Sequence, residues 1–249
     1  MEYPLTDSYT VLAQYYDQLM SHVPYSRWIK FIDYFAHKNS RQPLRIVDAG
    51  CGTGTVAIGL ARLGHRVVGL DESAEMLAVA QAKSQHIPIT WVQNNFVQLD
   101  IPADMVVCTC DGVNHLLKVR DVTSFFRRAH ACLSNFGCLI FDINTDYKYR
   151  RILANNVFAW TVPPVDVVWL NHFRRPYNTA AVTLYRRCGK LYSKSTFEIK
   201  ERCHPMASLV YYLGKCGFHR IELWDNYKRK LGAKPSQRIT VVAQKSKGS

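Results

Sequence analysis

The sequence predicts an α/β fold: a doubly wound, mostly parallel sheet of seven strands, with a small antiparallel β lid inserted after the fifth strand. Three observations carry that prediction. Apolar strand-like runs alternate with helix-period segments over residues 44–143. A glycine-rich turn, Asp48-x-Gly50-x-Gly52-x-Gly54, joins the first of those strands to the helix after it. Beyond Asn144 four β-rich runs follow one another with no helix between them.

The elements follow in order. Residues 3–40 are rich in aromatics, with helical periodicity over 28–35, and Arg41-Gln42-Pro43 breaks the helix. Residues 44–48 form an apolar strand, 56–63 a helix stopped by Gly64, and 66–70 the next strand, with Asp71 at its end. Residues 73–83 form a helix with Ser73 as N-cap. A third strand covers 89–92 and a fourth, apolar enough to be buried on both faces, 104–110. A helix over 121–133 closes toward Asn135-Phe136-Gly137, and the fifth strand covers 138–143. The β-rich runs are 158–162, 165–173, 180–187 and 190–200, with Arg187-Cys188-Gly189-Lys190 as a hairpin turn. A helix over 206–215, ended by Cys216-Gly217, leads to strands 220–225 and 238–243. The organisation predicted is therefore an N-terminal helical segment, 1–43, a sheet domain, 44–145 with 204–249, and an insertion, 146–203.

The 249 residues are 48% hydrophobic and 20% charged, ordinary for a soluble chain with a sizeable core. No apolar run approaches the roughly 20 residues that span a bilayer, and the first residues lack a secretory pattern. A cytoplasmic protein with no membrane partner is expected. The eight cysteines form no C-x-x-C pair and no zinc-spaced cluster, so free thiols and no metal are expected. Thirty-two Lys and Arg against nineteen acids give +13, which favours anionic partners over a merely solubilising surface only evenly.

Glycines at the turn let the backbone pass close to a ligand, and the next helix points its free N–H groups at the same place. A dinucleotide turn needs a small third residue at position 55, where this chain has Thr55. Acidic Asp48 suits a ligand with a free ammonium group better than a pyrophosphate. Asp71, 23 residues later at a strand end, can accept both hydroxyl protons of a ribose. Its alternative role is a helix cap. Met76 lies against an adenine or is simply core. Asn95, in Asn94-Asn95-Phe96, pairs with an adenine edge or forms a turn. Cys110, Asp111, Asn114 and His115 follow the fourth strand where it opens onto the cleft, or cap the next helix.

These motifs, together with Tyr15-Tyr16-Asp17-Gln18-Leu19-Met20, Val23-Pro24-Tyr25, Trp28 and Phe141-Asp142-Ile143-Asn144, resemble class I S-adenosylmethionine (SAM)-dependent methyltransferases. The subgroup is one of small bacterial enzymes with an antiparallel lid, similar to glycine N-methyltransferases and sugar N,N-dimethyltransferases. The resemblance implies a Rossmann-like SAM-binding domain in which Asp48, Gly50, Gly52 and Gly54 hold the methionine part. It implies Asp71 at the ribose and Asn95 and Phe96 flanking the adenine, while Cys51, Glu72, Met76, Cys110 and Asp111 are further candidates for the cofactor site. Tyr16 and Trp28 would close over the cofactor as a cap, with S-adenosylhomocysteine as product. Asn95 departs from the family's usual acid, and Asn114-His115 from its usual aromatic.

Methyl transfer needs alignment and exclusion of water, and a base only where the acceptor is protonated. His115 is the candidate base, with a structural histidine as the alternative. The insertion holds eleven Lys and Arg against four acids, a net +7. That makes an anionic small-molecule acceptor the expectation, with Asn114, His172, Arg174 and Arg175 as its candidate contacts. An RNA or protein methyltransferase is the second reading and a non-catalytic SAM-binding scaffold or sensor the third. Monomer and homodimer are both open.

Overall fold

A computed structural model of the chain describes residues 9, 12–39, 43–232 and 235–246. Residues 1–8 of the N-terminal segment and Arg41-Gln42 of its breaker lie outside the described residues. In chain order the elements are α1 (Tyr16–Leu19), α2 (Tyr25–Asn39), β1 (Arg45–Ala49), α3 (Thr55–Arg62), β2 (Arg66–Asp71), α4 (Ala74–Lys83), β3 (Ile89–Gln93) and β4 (Ala103–Cys108). Then come α5 (Val119–Cys132), β5 (Leu133–Asn144), β6 (Val157–Val162), β7 (Val165–Arg174), β8 (Tyr177–Cys188), β9 (Leu191–Arg202), α6 (Met206–Lys215), β10 (Phe218–Asp225) and β11 (Arg238–Lys245).

Seven strands make one sheet in the order β10-β11-β5-β4-β1-β2-β3, and the insertion makes a second, antiparallel sheet, β6-β7-β8-β9. β1 to β5 pair parallel, while β11 pairs antiparallel with both β5 and β10. The α/β architecture and the four-stranded lid are as the alternation of apolar runs predicts. The order reverses between β1 and β4, so the cleft opens at the carboxyl ends of those two neighbours.

Local chemistry explains the boundaries. β4 is central and its Met105, Val106, Val107 and Cys108 are wholly buried, as its continuous apolar run requires. Ser73 accepts the Met76 amide through Oγ at 3.2 Å and so starts α4. Gly64 and Gly217, both with positive φ, end α3 and α6. β5 begins earlier than predicted, yet Phe136 within it takes a left-handed conformation, so the predicted turn survives as a kink inside a longer strand. One element had no clear sequence signal: a π-helical segment, Lys148–Leu153, between β5 and the lid.

Lid strands alternate with period two. Val165 and Val167 of β7, Ala180, Val182 and Leu184 of β8, and Phe197 of β9 are buried on the inner face. They pack with Leu12, Leu19 and Met76, so the lid closes on the N-terminal segment and on α4.

Candidate active site

The glycine turn is built at the end of β1. Gly50, Gly52 and Gly54 all have positive φ. A Cβ on Gly54 would stand 2.4 Å from the Trp91 ring and 3.0 Å from Ala80, whereas one on Gly52 meets nothing within 4 Å. Gly54 thus serves packing, and Gly52 faces open space where a ligand fits. Gly54→Ala is expected to lower stability by about 2 kcal/mol, measured by urea unfolding.

Asp48 stands on β1 two residues before the turn. It is wholly buried, and its carboxylate has no side-chain partner. Burial, reinforced by the Asp71 charge, pushes its carboxyl up to about 7, with only the Ala57 amide opposing. A buried acid without a partner costs the fold free energy, and a cationic ligand group would relieve that cost. Asp71 ends β2 and accepts the Gly52 amide at 2.7 Å and the Ser73 amide at 3.0 Å. It therefore ties the glycine turn to the start of α4.

Phe96 lies over Gly50, 3.6 Å from the position of its absent Cβ. Asn95 starts a short 3-10 turn, accepting the Val97 amide at 2.9 Å, and donates to Glu72 at 3.0 Å. Both functions of its amide are occupied, so the turn-forming alternative describes it. Cys51 is buried behind the turn, and Met76 is core under the lid. The N-terminal segment is pinned to the glycine turn by Asp17, which accepts the Thr53 hydroxyl at 2.5 Å and pairs with Lys83 at 2.6 Å.

Next to this turn lies a cavity of about 490 Å³. Tyr9, Leu12 and Tyr16 wall it from the N-terminal segment, and Phe158, Trp160 and Trp169 from the lid. Its floor is the carboxyl end of β4 and β5. Cys110 and Asp111 are consecutive left-handed residues, a strained corner of the kind that aims a side chain at a site. Asp111 pairs with Arg238 at 2.9 Å and accepts from Asn144 at 2.7 Å. Arg238 also pairs with buried Asp142, which takes the Tyr227 hydroxyl at 2.6 Å. Burial works to raise Asp111, but the Arg238 guanidinium overrides it and holds the carboxyl well below the usual range.

Glu201, from β9, reaches this floor from above. Burial raises it well beyond an ordinary glutamate, and Asp111 beside it raises it further. Of the two acids, Glu201 is the one driven toward its neutral form. His115 faces the same cavity with Nε2 3.2 Å from the Tyr9 hydroxyl. Burial lowers its pKa against the raising effect of Asp111, and burial raises that of Tyr9. A neutral imidazole and a protonated phenol result. Although Asp111, His115 and Glu201 place ligand atoms within 4.8 Å of one another, Arg238 already neutralises Asp111. In the similar trio Asp33, His37 and His65, the Nδ1 of His65 accepts the Leu44 amide, so its Nε2 carries hydrogen toward Asp33.

Five expected contacts lie elsewhere. Trp28 is buried core, stacked on Tyr227 at 4.7 Å, rather than a cover for a cofactor. Asn114 donates to the Arg202 carbonyl and accepts the Asn144 amide, joining the lid's last strand to β5. His172, Arg174 and Arg175 are exposed, with His172 and Arg174 on the outer face of β7. The lid's inner face carries no Lys or Arg beside the cavity, because the two-residue period that turns its apolar side chains inward turns its charges outward. The sequence reading gave no site role to Tyr9, Asp142, Lys148, Tyr227, Arg238 or Glu201. Of these, Asp142 lay within a motif that carries the resemblance, and Glu201 continues the inward series Phe197, Ile199.

The chain matches a family model described as a methyltransferase domain over residues 46–137. It is 31% identical to a provisionally named methyltransferase of Geobacillus sp. (strain WCH70), over 96% of this chain and all of the relative. The chain belongs to the SAM-dependent methyltransferases.

A second relative, from Bacillus subtilis (strain 168), is 30% identical over 96% of this chain and 98% of its own. The crystal structure of a SAM-dependent methyltransferase from Clostridium acetobutylicum superposes with a TM-score of 0.87 at 26% identity, covering 96% of this chain and all of the other. A sugar N-methyltransferase from Streptoalloteichus shares the fold, lid included in the 99% of this chain covered, with a TM-score of 0.77 at 14% identity. The methyltransferase uses SAM, and the glycine turn with the unpartnered Asp48 fits that cofactor's ammonium group.

Proposed function

We propose that this methyltransferase transfers the methyl group to a hydroxyl or amine of a small, largely apolar molecule held under the lid. The aromatic-walled cavity at the carboxyl ends of β4 and β5 carries this reading. Its size and apolar lining suit a small organic acceptor. The two cations that reach it are engaged: Arg238 by Asp111 and Asp142, and Lys148 by the Asn144 carbonyl at 2.8 Å. These contacts favour a neutral or amine-bearing acceptor over the anionic one that composition alone suggests.

In this reading residues 1–43 form the cap, 44–145 with 204–249 the cofactor domain, and 146–203 the acceptor lid. Asp48 holds the cofactor's ammonium group, Asp71 the ribose hydroxyls, and Phe96 lies along the adenine side. SAM, when bound, supplies an electrophilic methyl group. Asp111 and Glu201 orient the acceptor's polar end, while the aromatic lid face excludes water. The proton leaving the acceptor passes to the Tyr9–His115 pair, where the neutral imidazole accepts it.

Isotope-labelled SAM incubated with a panel of small phenols, alcohols and amines tests the assignment. Transfer to an apolar member that His115→Gln slows by about 100-fold or more, with cofactor affinity unchanged, is expected. Equal turnover by the variant would remove His115 from the chemistry. Charge reversal at Arg174 and Arg175 is expected to leave acceptor KM unaltered, since both side chains lie outside the cavity.

A further inference from the structure

Four of the insertion's eleven cations, none of them at the cavity, lie where the sheet overhangs. β8 and β9 run on past the start of β7: Val165 pairs with Arg186, and the last pairs, Arg187 with Tyr192 and Cys188 with Leu191, have no third strand beside them. All nine residues from Arg186 to Lys194 are exposed. The stretch contains four cations, Arg186, Arg187, Lys190 and Lys194, and residues 186–197 include no acid. At its end Leu191 is 75% and Tyr192 55% exposed. The overhang is a short two-stranded hairpin end on which exposed Leu191 and Tyr192 stand among cations.

That shape decides between the anionic partners the charge admits. A nucleic-acid strand is held in a groove with stacking platforms along its length, and a single projecting hairpin offers neither. A planar bilayer surface fits. Leucine enters the acyl boundary, a tyrosine ring sits at headgroup depth, and lysine and arginine reach lipid phosphates. Apolar insertion and basic attraction together supply the two signals that peripheral attachment requires.

We propose that the β8–β9 tip docks this methyltransferase on an anionic membrane surface. That no helix among the described residues is long and apolar enough to span a bilayer does not bear on such attachment, and the sequence-based expectation of no membrane partner did not address surface docking. The inference is independent of which acceptor the cavity takes.

Sedimentation of the full-length chain with phosphatidylcholine vesicles, with and without phosphatidylglycerol, tests it. Binding to the anionic vesicles, weak on the neutral ones and reduced by salt, is expected. Each cation removed should weaken it by about fivefold, so Arg187→Glu with Lys190→Glu should weaken it by about 25-fold or more. Leu191→Ser with Tyr192→Ser should weaken it by about tenfold. Both double variants should keep wild-type SAM affinity, which shows that they fold. No sedimentation of the wild type, or undiminished sedimentation of either variant, overturns the proposal. So does binding to single-stranded RNA, sensitive to the same substitutions, in place of vesicle binding.

Discussion

Asp48→Asn is expected to weaken SAM binding by roughly 10- to 100-fold while making the cofactor-free protein more stable. The loss follows from removing one partner of a buried, charge-assisted hydrogen bond, about 1.5–3 kcal/mol. The gain has a separate origin. The Asp48 carboxyl titrates at about 7 in the folded chain because burial disfavours its charge. Unfolded, it would titrate near its ordinary value of 3.8. Ionised Asp48 therefore opposes folding most strongly above pH 7, and the penalty fades as pH falls from about 7 toward 4. The difference corresponds to a cost on the order of 2–4 kcal/mol at alkaline pH, which the neutral amide avoids. Calorimetric titration and thermal melts between pH 6 and 8 separate the two effects. In the wild type, SAM affinity should drop by up to tenfold per unit below pH 7, where Asp48 takes up its proton. A variant that kept wild-type affinity across that range would remove Asp48 from the cofactor site.

Arg238→Met should cost about 3–5 kcal/mol and abolish activity. Arg238 is the shared cation of Asp111 and the wholly buried Asp142, and its guanidinium lies over the Trp28 ring. Without it, two carboxylates face each other across a low-dielectric floor, with Lys148 acting on Asp111 as the remaining cation of the cavity. Asp111, now held below its ordinary range, would rise instead. In the wild type its depressed pKa contributes stability above about pH 4 that is lost on further acidification. In the variant the ionised acid opposes folding. The stability difference should thus be largest at pH 8 and narrow toward pH 5, as urea melts at several pH values would show. A constant difference would mean that lost packing on Trp28, rather than charge, dominates.

These two residues mark what the sequence made legible. Asp48 was identified because its role is local: it sits two residues before the first glycine of a strand-to-helix turn, and that spacing alone distinguishes the turn from a dinucleotide site. Arg238 carries no such mark. It opens the last strand of the sheet, 127 residues from Asp111, and joins the site only because β11 inserts next to β5. Asn95 shows a different case, where local turn chemistry engages an amide that the resemblance put at the adenine. The lid illustrates the same divide within one segment. Its strands and hairpin were readable, and its net +7 was correctly counted, but counting does not say which face a charge occupies.

The sequence by itself determined the layered α/β architecture, the glycine turn with Asp48 and Asp71, and the presence of an antiparallel insertion. Each depends on backbone sterics and on periodicities of two or 3.6 residues, which act within a few residues of one another. Only the tertiary structure decided that the cations of the lid strands face away from the cavity, that Glu201 is buried beside Asp111, and that Arg238 pairs with both acids of the floor. Those outcomes depend on strand register and on burial, and both arise when distant segments exclude water from the same space.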